Sequence, residues 1–505
     1  MKHFPLLTSL ALAAMLASTG TLAQTAAAAA AISADDAMRG AAQKAISGNP
    51  ELTARMNALR ASASAVDAAR GGLYPRVDVE VAAGRTEDRI TTRNPEVQSL
   101  PRNSVALSLT QLLWDANVIR SDVARLDHDR LVRWFELLDA AETTALEAVR
   151  AHHDVMRQRA LVALAEENYV HHRYASTQIG SRVRAGISRG VDLEQANARL
   201  ALAESNLSTE TVNLHDVTTR YLRIVGELPP QRVGRAGASN LGLPTSAGEA
   251  TQLAVQASPA VSASIENLRA ARSAARGRDG AAWQPRVEAR VRTAAGRNYD
   301  GVPDQKRDAS AEVVLNWNLY NGGSDQARIR QAADLVNQAA DQRDKVCRDT
   351  RQVAAIAFND TQKLVEQLQA LDRNVLAIEK ARDAYRQQFD IGQRSLLDLL
   401  NAENEVYTAK RAYANAEADL LVAQARSLAA SQRLTTQLGL ARLDGSMAPP
   451  SGWSSEDDAP TRCPALLADA YGTVSRSELD ARAQRLVQAA PAAPPPAASA
   501  PARRP

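Results

Sequence analysis

Bulky aromatic side chains are scarce in this sequence. Phe, Trp and Tyr together make up 4% of its 505 residues, while alanine is very frequent. So few aromatic residues leave a globular core short of large side chains. Frequent alanine instead suits long helices that pack closely through small side chains.

An excess of charge of either sign is also missing. The formal net charge is +3, and the chain has no basic stripe, no acidic block and no interleaving of aromatic with basic residues. Nucleic-acid-binding surfaces are usually clustered and basic. The sequence therefore predicts no nucleic-acid partner.

Long hydrophobic runs are confined to the N-terminus. Lys2 and His3 precede an apolar run from Leu6 to Leu16, and a small-residue cleavage motif ends at Ala23. We predict a secretory signal peptide over 1–23, because a membrane anchor, the alternative, would need a longer run. No cysteine follows the run, which argues against lipidation of the mature N-terminus. No later stretch approaches about 18 apolar residues, so any membrane-embedded part must consist of strands.

Motifs for catalysis are missing as well. We find no nucleophile elbow, no phosphate-binding loop and no paired carboxylates in a pocket-forming context. The pairs His152-His153 and His171-His172 lack the carboxylate or cysteine spacing that would complete a metal site. We predict no enzyme activity, no cofactor and no metal site.

The sequence does contain an internal duplication. The segments "LYPRVDVEV", "LTQLLWDAN" and "AGISRGVDLEQANARL" correspond to "WQPRVEARV", "LNWNLYNGG" and "IGQRSLLDLLNAENEV" later in the chain. One offset of 206 positions relates Trp114 to Tyr320, Gly186 to Gly392, Asp192 to Asp398 and Ala196 to Ala402. The chain is therefore expected to consist of two equivalent repeats.

Each repeat is predicted to hold two strands. Apolar and polar residues alternate near 73–83, 104–113, 284–294 and 310–320. A strand with one apolar and one polar face is expected either in a transmembrane barrel or in a soluble hairpin that exposes one face to solvent. Four such strands in a secreted chain favour the barrel. The polar segments that join each pair, Gly84–Asn103 and Gly296–Asp308, are expected to be surface loops.

Each strand pair is followed by a long helix and a returning helix. The sequence predicts long helices over 115–184 and 322–389, and returning helices over 190–228 and 395–438. The long helices carry charge throughout, so they are expected to stand in water. Each would span about 100 Å at a rise of 1.5 Å per residue.

The strand-to-helix junctions contain turn and capping residues. They are Asp115 in the first repeat and Asn321-Gly322-Gly323 in the second. Asp and Asn are favoured N-cap residues, so Asp115 and Asn321 are predicted to cap the long helices.

The returning helices show a seven-residue recurrence. Alanine occupies positions 402, 409, 416 and 423, interleaved with larger apolar residues, and Leu193, Leu200, Leu207 and Leu214 repeat the spacing in the first repeat. Alternating spacings of three and four are typical of a coiled-coil seam, and the alanines permit close approach.

These features together resemble the TolC family of outer-membrane channel-tunnels. The resemblance rests on "LYNGG" between strand and helix, on the Gly-x5-Asp-x3-Ala pattern at both helical tips, and on the duplication, and it covers roughly Ala34 to Leu440. It implies a mixed α+β homotrimer in the outer membrane of a Gram-negative bacterium. Four strands per protomer would close a shared twelve-stranded barrel in outer-membrane lipid, which would also remove the open edges of a lone sheet. The helices would form a coiled-coil tunnel in the periplasm.

The resemblance also implies a gate at the helical tips. Asp192 and Arg394 match an acidic residue and an arginine of the family, which implies an Asp192–Arg394 ion pair as a closing latch. Phe389 stands where the family often has a tyrosine, so that hydroxyl is missing. Asp398 matches the first of two aspartates that ring the constriction, and Asn401 stands at the second position. Such a ring would attract cations, although a solvated helix face is the alternative for Asp398.

The turns at the tips are the expected docking surface for a periplasmic adaptor protein. Gly186 and Gly392 fit turns that need positive φ, and Ile187 and Gln393 adjoin them.

A disulfide is predicted between the two cysteines. Cys347 lies about 45 residues above the second tip, and the returning helix ends near Leu440 at a similar height. Cys463 follows soon after, and an oxidising periplasm permits the bond. Two free thiols are the alternative.

The chain divides into six segments on this interpretation. They are a signal peptide (1–23), a first repeat (34–230), a linker (231–250), a second repeat (251–440), a C-terminal periplasmic segment (441–488) with a short helix over 477–487, and a disordered Pro/Ala-rich tail (489–505).

A passive exit duct is the function that these features predict. It would work either in type I secretion of a large polypeptide, with an inner-membrane ABC transporter and an adaptor, or in drug efflux with a proton-driven pump. The missing lipid-attachment cysteine and the added C-terminal segment favour secretion. A coiled-coil surface adhesin or periplasmic scaffold is the alternative of another class, but neither would need two strand pairs placed between helices.

Overall fold

The computed structural model describes residues 34–231, 242–298, 303–304, 307–441, 453–455 and 474–489. The predicted signal peptide and almost all of the Pro/Ala-rich tail lie outside the described residues. The chain forms two units, Met1–Ala465 and Leu466–Pro505. Within the second unit the structure describes one helix, whose bounds are Arg476–Ala489.

The first unit is mostly helical. Two strand pairs lie between its helices, and the four strands belong to one sheet. In chain order the elements are α1 (Ala34–Gly48), α2 (Pro50–Gly71), β1 (Arg76–Arg89), β2 (Val97–Trp114), α3 (Val118–Arg184), α4 (Gly190–Val225), α5 (Ala247–Ala257), α6 (Pro259–Trp283), β3 (Arg286–Arg297), β4 (Arg307–Asn316), α7 (Ser324–Asp390), α8 (Leu396–Ala430) and α9 (Leu434–Gln437). We number the helix of the second unit α10.

The four strands form one antiparallel sheet in the order β1-β2-β3-β4. Val77 lies opposite Leu109, which lies opposite Val291, so these side chains share one face. Val79 and Val313 belong to the same face, and about two thirds of each side chain is exposed. The predicted alternation is therefore confirmed as one exposed apolar face, with charged residues such as Asp78 and Arg292 on the other.

The first strand pair is longer than the sequence predicted. Arg85 pairs with Pro101 and Glu87 pairs with Ser99, so most of the expected loop Gly84–Asn103 is strand and only residues 90–96 connect the pair. The loop prediction was wrong here because polar side chains do not prevent backbone pairing in a two-stranded extension. In the second pair, β4 ends at Asn316 rather than at 320.

The two long helices, α3 and α7, each contain 67 residues. Gly180 does not interrupt α3, since backbone hydrogen bonding continues through it. The second returning helix is shorter than predicted: α8 ends at Ala430, and Gln432 adopts a φ of 57° before the short α9. No helix among the described residues is both long and apolar enough to cross a membrane.

The main apolar core surrounds the first half of α3. One buried cluster contains Leu137 of α3 together with Met38 of α1, Leu52 of α2, Tyr221 of α4 and Leu428 of α8. Alanines make up nearly half of the buried residues of α8, and the seven-residue recurrence predicted such a buried alanine seam. The recurring alanines of α8, at positions 402, 409, 416 and 423, are all buried.

Candidate functional site

The turns at the two helical tips have the same backbone geometry. Gly186 has a φ of +71° and Gly392 a φ of +78°, which confirms the predicted positive φ at both positions. In the first turn Ile187 N donates to Arg182 O at 2.9 Å, and in the second Gln393 N donates to Gln388 O at 2.8 Å. This six-to-one bond defines a Schellman motif, which satisfies the last carbonyls of α3 and α7.

Exposed apolar residues adjoin both glycines. Ile187 follows Gly186 and is 76% exposed, and Ile391 precedes Gly392 and is 69% exposed. The tips therefore present one aliphatic side chain each beside a glycine turn.

Asp192 and Asp398 occupy equivalent positions in the first turns of α4 and α8. The Arg189 backbone N donates to Asp192 Oδ2 at 3.2 Å. The Ser395 hydroxyl donates to Asp398 Oδ2 at 2.9 Å and accepts from the Asp398 backbone N at 3.2 Å. Both carboxylates thus stabilise a helix start, where negative charge is favoured.

Arg394 has partners other than the one that the family resemblance implied. Its Nε donates to Gln388 Oε1 at 3.0 Å, and its Nη1 lies 3.8 Å from Asp398 Oδ2. Its guanidinium also lies 4.6 Å from the centre of the Tyr385 ring. Within the described part of this chain, Arg394 and Asp192 do not pair.

Phe389 lies between the two helical hairpins, which are α3 with α4 and α7 with α8. It packs against a buried cluster formed by Ile179, Ala196, Leu396 and Leu400. The Arg182 guanidinium lies 4.9 Å from the centre of the Phe389 ring, within the range of a cation–π interaction. A contact between the hairpins at this level therefore exists without a tyrosine hydroxyl.

Asn401 is bonded to a residue that sequence reasoning missed. Its Oδ1 accepts from Arg199 Nη2 at 2.9 Å, a bond between α4 and α8. The predicted constriction residue is therefore tied to a cation of the first hairpin.

Glu403 is a second site that the sequence did not reveal. Its side chain is 7% exposed and receives three donors: His171 Nδ1 at 3.0 Å, Arg386 Nη2 at 2.6 Å and Arg382 Nη1 at 3.3 Å. Burial alone would raise the pKa of Glu403, but the bond to His171 and the charges of His171, Arg386 and Arg382 lower it to about 2. One sequence feature could have identified Glu403. It directly follows Ala402, one of the recurring alanines of the coiled-coil seam, so its carboxylate is placed close to a helix–helix contact.

The strand-to-helix junctions are equivalent in the two repeats. Asp115 Oδ2 accepts from the Ile119 backbone N at 2.8 Å, and Asn321 Oδ1 accepts from the Asp325 backbone N at 3.3 Å. The predicted N-caps were wrong by two positions: Asn117 and Gly323 are the N-caps, and Asp115 and Asn321 bond the helix start from two residues before them. Two left-handed residues intervene in each junction: Ala116 and Asn117 in the first, Gly322 and Gly323 in the second.

The histidine pair in the middle of α3 is part of the core. His153 is fully buried, and its ring centre lies 5.7 Å from that of His152. Burial, with a smaller contribution from the His152 charge, lowers the pKa of His153 to about 3, so the imidazole is neutral at physiological pH. The described residues include no group of three or more His, Cys, Asp or Glu side chains that could hold a metal ion.

Cys347 is buried on α7 beside Val255 of α5 and is disulfide-bonded. Its predicted partner, Cys463, lies outside the described residues. The pairing of these two cysteines therefore stays a prediction.

Comparison with known proteins identifies the family. The family model described as "outer membrane efflux protein" matches residues 41–225 and 250–445. The chain belongs to the outer membrane efflux protein family. This confirms the TolC-family resemblance and places the protein in the Gram-negative outer membrane as a channel that extends into the periplasm.

Curated relatives of this family member serve more than one export process. The outer membrane efflux protein BepC of Brucella suis is 26% identical over 414 residues, covering 80% of this chain and 87% of BepC. TolC of Escherichia coli is 27% identical over 185 residues, 36% of each chain. The proteases secretion protein PrtF of Dickeya chrysanthemi is 37% identical over 93 residues, covering 18% of this chain and 20% of PrtF.

Solved structures share the fold. The CmeC outer membrane channel of Campylobacter jejuni superposes with a TM-score of 0.72 at 13% identity, covering 79% of this chain and 86% of that chain. The helix-dominated channel-tunnel architecture is thus shared at very low sequence identity.

Proposed function

We propose that three copies of this chain form an exit duct across the outer membrane. The observation that carries the proposal is the exposed apolar face of the sheet together with its two free edges, β1 and β4. A sheet in lipid needs every backbone group paired, so its edges must meet other strands. The strands alternate in direction, so β1 of one protomer can pair antiparallel with β4 of the next, and three copies would give twelve strands.

Aromatic residues at one end of the sheet support this placement. Five exposed aromatic side chains cluster where strands meet helices: Tyr74, Trp114, Trp283, Trp317 and Tyr320. Tyr and Trp are favoured at the boundary between lipid and water. We infer that this belt marks the periplasmic surface of the membrane and that α3 and α7 start there.

The tips would carry the gate and the docking surface. Symmetry would bring three copies of Asp398 together at the constriction, with Asn401 as a neutral second position. Asp192 and Arg394 would pair between neighbouring protomers rather than within one. Gly186, Ile187, Gly392 and Gln393 would contact the periplasmic adaptor, since they form the exposed ends of the hairpins.

Type I secretion of a large polypeptide, driven by an ABC transporter, is the export process that we favour. The similarity to PrtF, a protein named for protease secretion, supports it. Drug efflux with a proton-driven pump is the second candidate, favoured by the long match to BepC. The family match argues against the adhesin or scaffold alternative.

The test compares a deletion strain with the wild type and with a complemented strain. Culture supernatants are compared by mass spectrometry, and antibiotic susceptibility is measured in parallel. Loss of one large secreted protein with unchanged susceptibility supports type I secretion. An unchanged secretome with higher susceptibility supports efflux instead. If neither changes, the exit-duct proposal itself is wrong.

We also propose that Cys347 and Cys463 form the disulfide, which would tie the C-terminal segment to α7. Mass spectrometry of the unreduced, proteolysed protein should yield one peptide that contains both residues. Two thiols that alkylate without reduction would disprove the bond.

A further inference from the structure

Glu403 connects the two helical hairpins from a buried position. The residue lies seven positions beyond the first residue of α8, about 10 Å above the start of that helix at 1.5 Å per residue. Two of its donors, Arg382 and Arg386, belong to α7 and so to the same hairpin. His171 belongs to α3 of the other hairpin, and its Nδ1 lies 3.0 Å from Glu403 Oε2.

The two arginines determine where the Glu403 carboxylate points. Arg386 bonds Oε1 at 2.6 Å, while Oε2 faces both Arg382 and His171. A buried carboxylate with three charged or polar donors has its oxygens fixed in place. Arg382 and Arg386 therefore act as positioning residues for the contact that crosses between hairpins.

Asn401 supplies a parallel contact about one half-turn nearer the tip. It accepts from Arg199 of α4, so the first two turns of α8 are bonded to both helices of the first hairpin. Below them, Leu396 and Leu400 of α8 pack against Ile179 of α3 and Ala196 of α4. The first two turns of α8 are therefore in contact with the first hairpin through both hydrogen bonds and apolar packing.

The ion pair at the second tip, between Arg394 and Asp398, is weaker than the contacts of Glu403. The Arg394 and Asp398 side chains are each about two fifths exposed and lie 3.8 Å apart, and exposed ion pairs typically contribute about 0–1 kcal/mol. Charge-assisted bonds to a buried carboxylate are stronger, because water competes less with the donors.

We propose that Arg199–Asn401 and His171–Glu403 form an upper latch that holds the second hairpin against the first and keeps the duct closed at rest. The inference rests on the proposed function as a gated exit duct. Opening moves α7 and α8 away from the first hairpin and breaks both bonds in each protomer. Arg382 and Arg386 stay with Glu403 during this movement, so the carboxylate never becomes an unpaired buried charge.

The test measures the current through purified trimers in planar lipid bilayers. The double variant His171→Leu/Arg199→Met removes both bonds that cross between the hairpins and keeps the arginine pairs of Glu403. We expect the open-to-closed ratio to rise about tenfold or more, because each lost bond involves a charged group. The conservative variants His171→Gln and Arg199→Lys retain a donor and should return the ratio towards the wild-type value. Glu366→Gln, which removes only the exposed pair with Lys363 on α7, is the matched control and should match the wild type.

Three outcomes separate the possibilities. A double variant that melts like the wild type but keeps the wild-type open-to-closed ratio overturns the upper latch. An increase that His171→Gln and Arg199→Lys fail to reverse overturns it as well, since general loosening of the hairpins would then explain the increase. If the wild type and all variants insert as trimers but never conduct, the proposed exit duct is wrong. The upper latch, which depends on it, is then wrong as well.

Discussion

The two long helices have the same length and topology but very different surroundings. Among the described residues, α3 packs mainly against α1, α2, α4, α6, α8 and α9. It buries large or polar side chains such as Trp134, Phe135 and His153. α7 packs mainly against α5, α6 and α8, and most of its buried residues are alanines.

This difference indicates separate roles for two helices of equal length. α3 is the internal support of the protomer, whereas α7 leaves apolar residues such as Leu335, Val353 and Leu376 exposed. Exposed apolar side chains along a coiled-coil hairpin are suited to contact with a second copy of the chain. α7 also belongs to the hairpin that the proposed gate requires to move.

Replacing a core leucine should have the largest effect on the protomer. Leu137 of α3 is 1% exposed, so Leu137→Ala should lower the free energy of unfolding by about 2–5 kcal/mol through lost contacts and a cavity. Leu376 of α7 is 54% exposed, and Leu376→Ala should change that free energy by less than about 0.5 kcal/mol while weakening trimer assembly. Denaturant titration and native mass spectrometry measure the two effects. Equal destabilisation by both substitutions would contradict the contrast between α3 and α7.

The buried histidine of α3 should make stability depend on pH. Burial depresses the pKa of His153 to about 3, so the folded protein resists a proton that the unfolded chain accepts below its ordinary value of 6.5. Stability is therefore full above pH 6.5 and falls as the pH drops towards 3, by about 1.4 kcal/mol per unit. Unfolding midpoints between pH 7 and 5 measure the slope. His153→Phe should reduce it, and an unchanged slope in that variant would assign the effect to other groups.

The starts of α3 and α7 provide a matched pair of substitutions. Ala116 adopts the left-handed conformation at a φ of 57°, where Gly322 stands in the second junction at 71°. Ala116→Gly should stabilise the protein and Gly322→Ala should destabilise it, each by about 1 kcal/mol, because only glycine adopts this conformation without strain. A Cβ added at Gly322 meets no other atom within 4 Å, so its cost is conformational alone. Thermal melting of both variants is the measurement, and shifts of the same sign would refute this account of the junctions.

The cation–π contact between α3 and α7 should have the smallest effect. Arg182→Met keeps the aliphatic stem beside Phe389 and removes the charge, and should cost about 0.5–1 kcal/mol. The same substitution in a Phe389→Leu background should cost less, and the double-mutant cycle gives the coupling. A coupling indistinguishable from zero would show that the hairpins are joined here by apolar packing alone.

Patterns with a short period were predictable from the sequence. The alternation around Val77–Val81 gave the apolar face of the sheet, and the heptad alanines of α8 gave the buried seam. The tip glycines were recognisable because their conformation depends on local backbone geometry.

Contacts between distant parts of the chain were not predictable in the same way. Asn401 and Arg199 are 202 positions apart, and Glu403 and His171 are 232 apart. Which side chains meet there depends on how the two hairpins pack. The family resemblance implied Asp192 as the partner of Arg394. Within the chain, Arg394 instead contacts Gln388, Tyr385 and Asp398, which lie at the same tip. The extension of β1 and β2 to residues 89 and 97 was missed because its side chains are polar.

Electron cryomicroscopy of the purified protein in lipid nanodiscs tests the central claim most directly. We expect three copies, with β1 of each protomer paired to β4 of the next and with Val79 and Val313 facing lipid. A monomer, unpaired β1 and β4 edges, or an apolar sheet face packed against protein rather than lipid would contradict it.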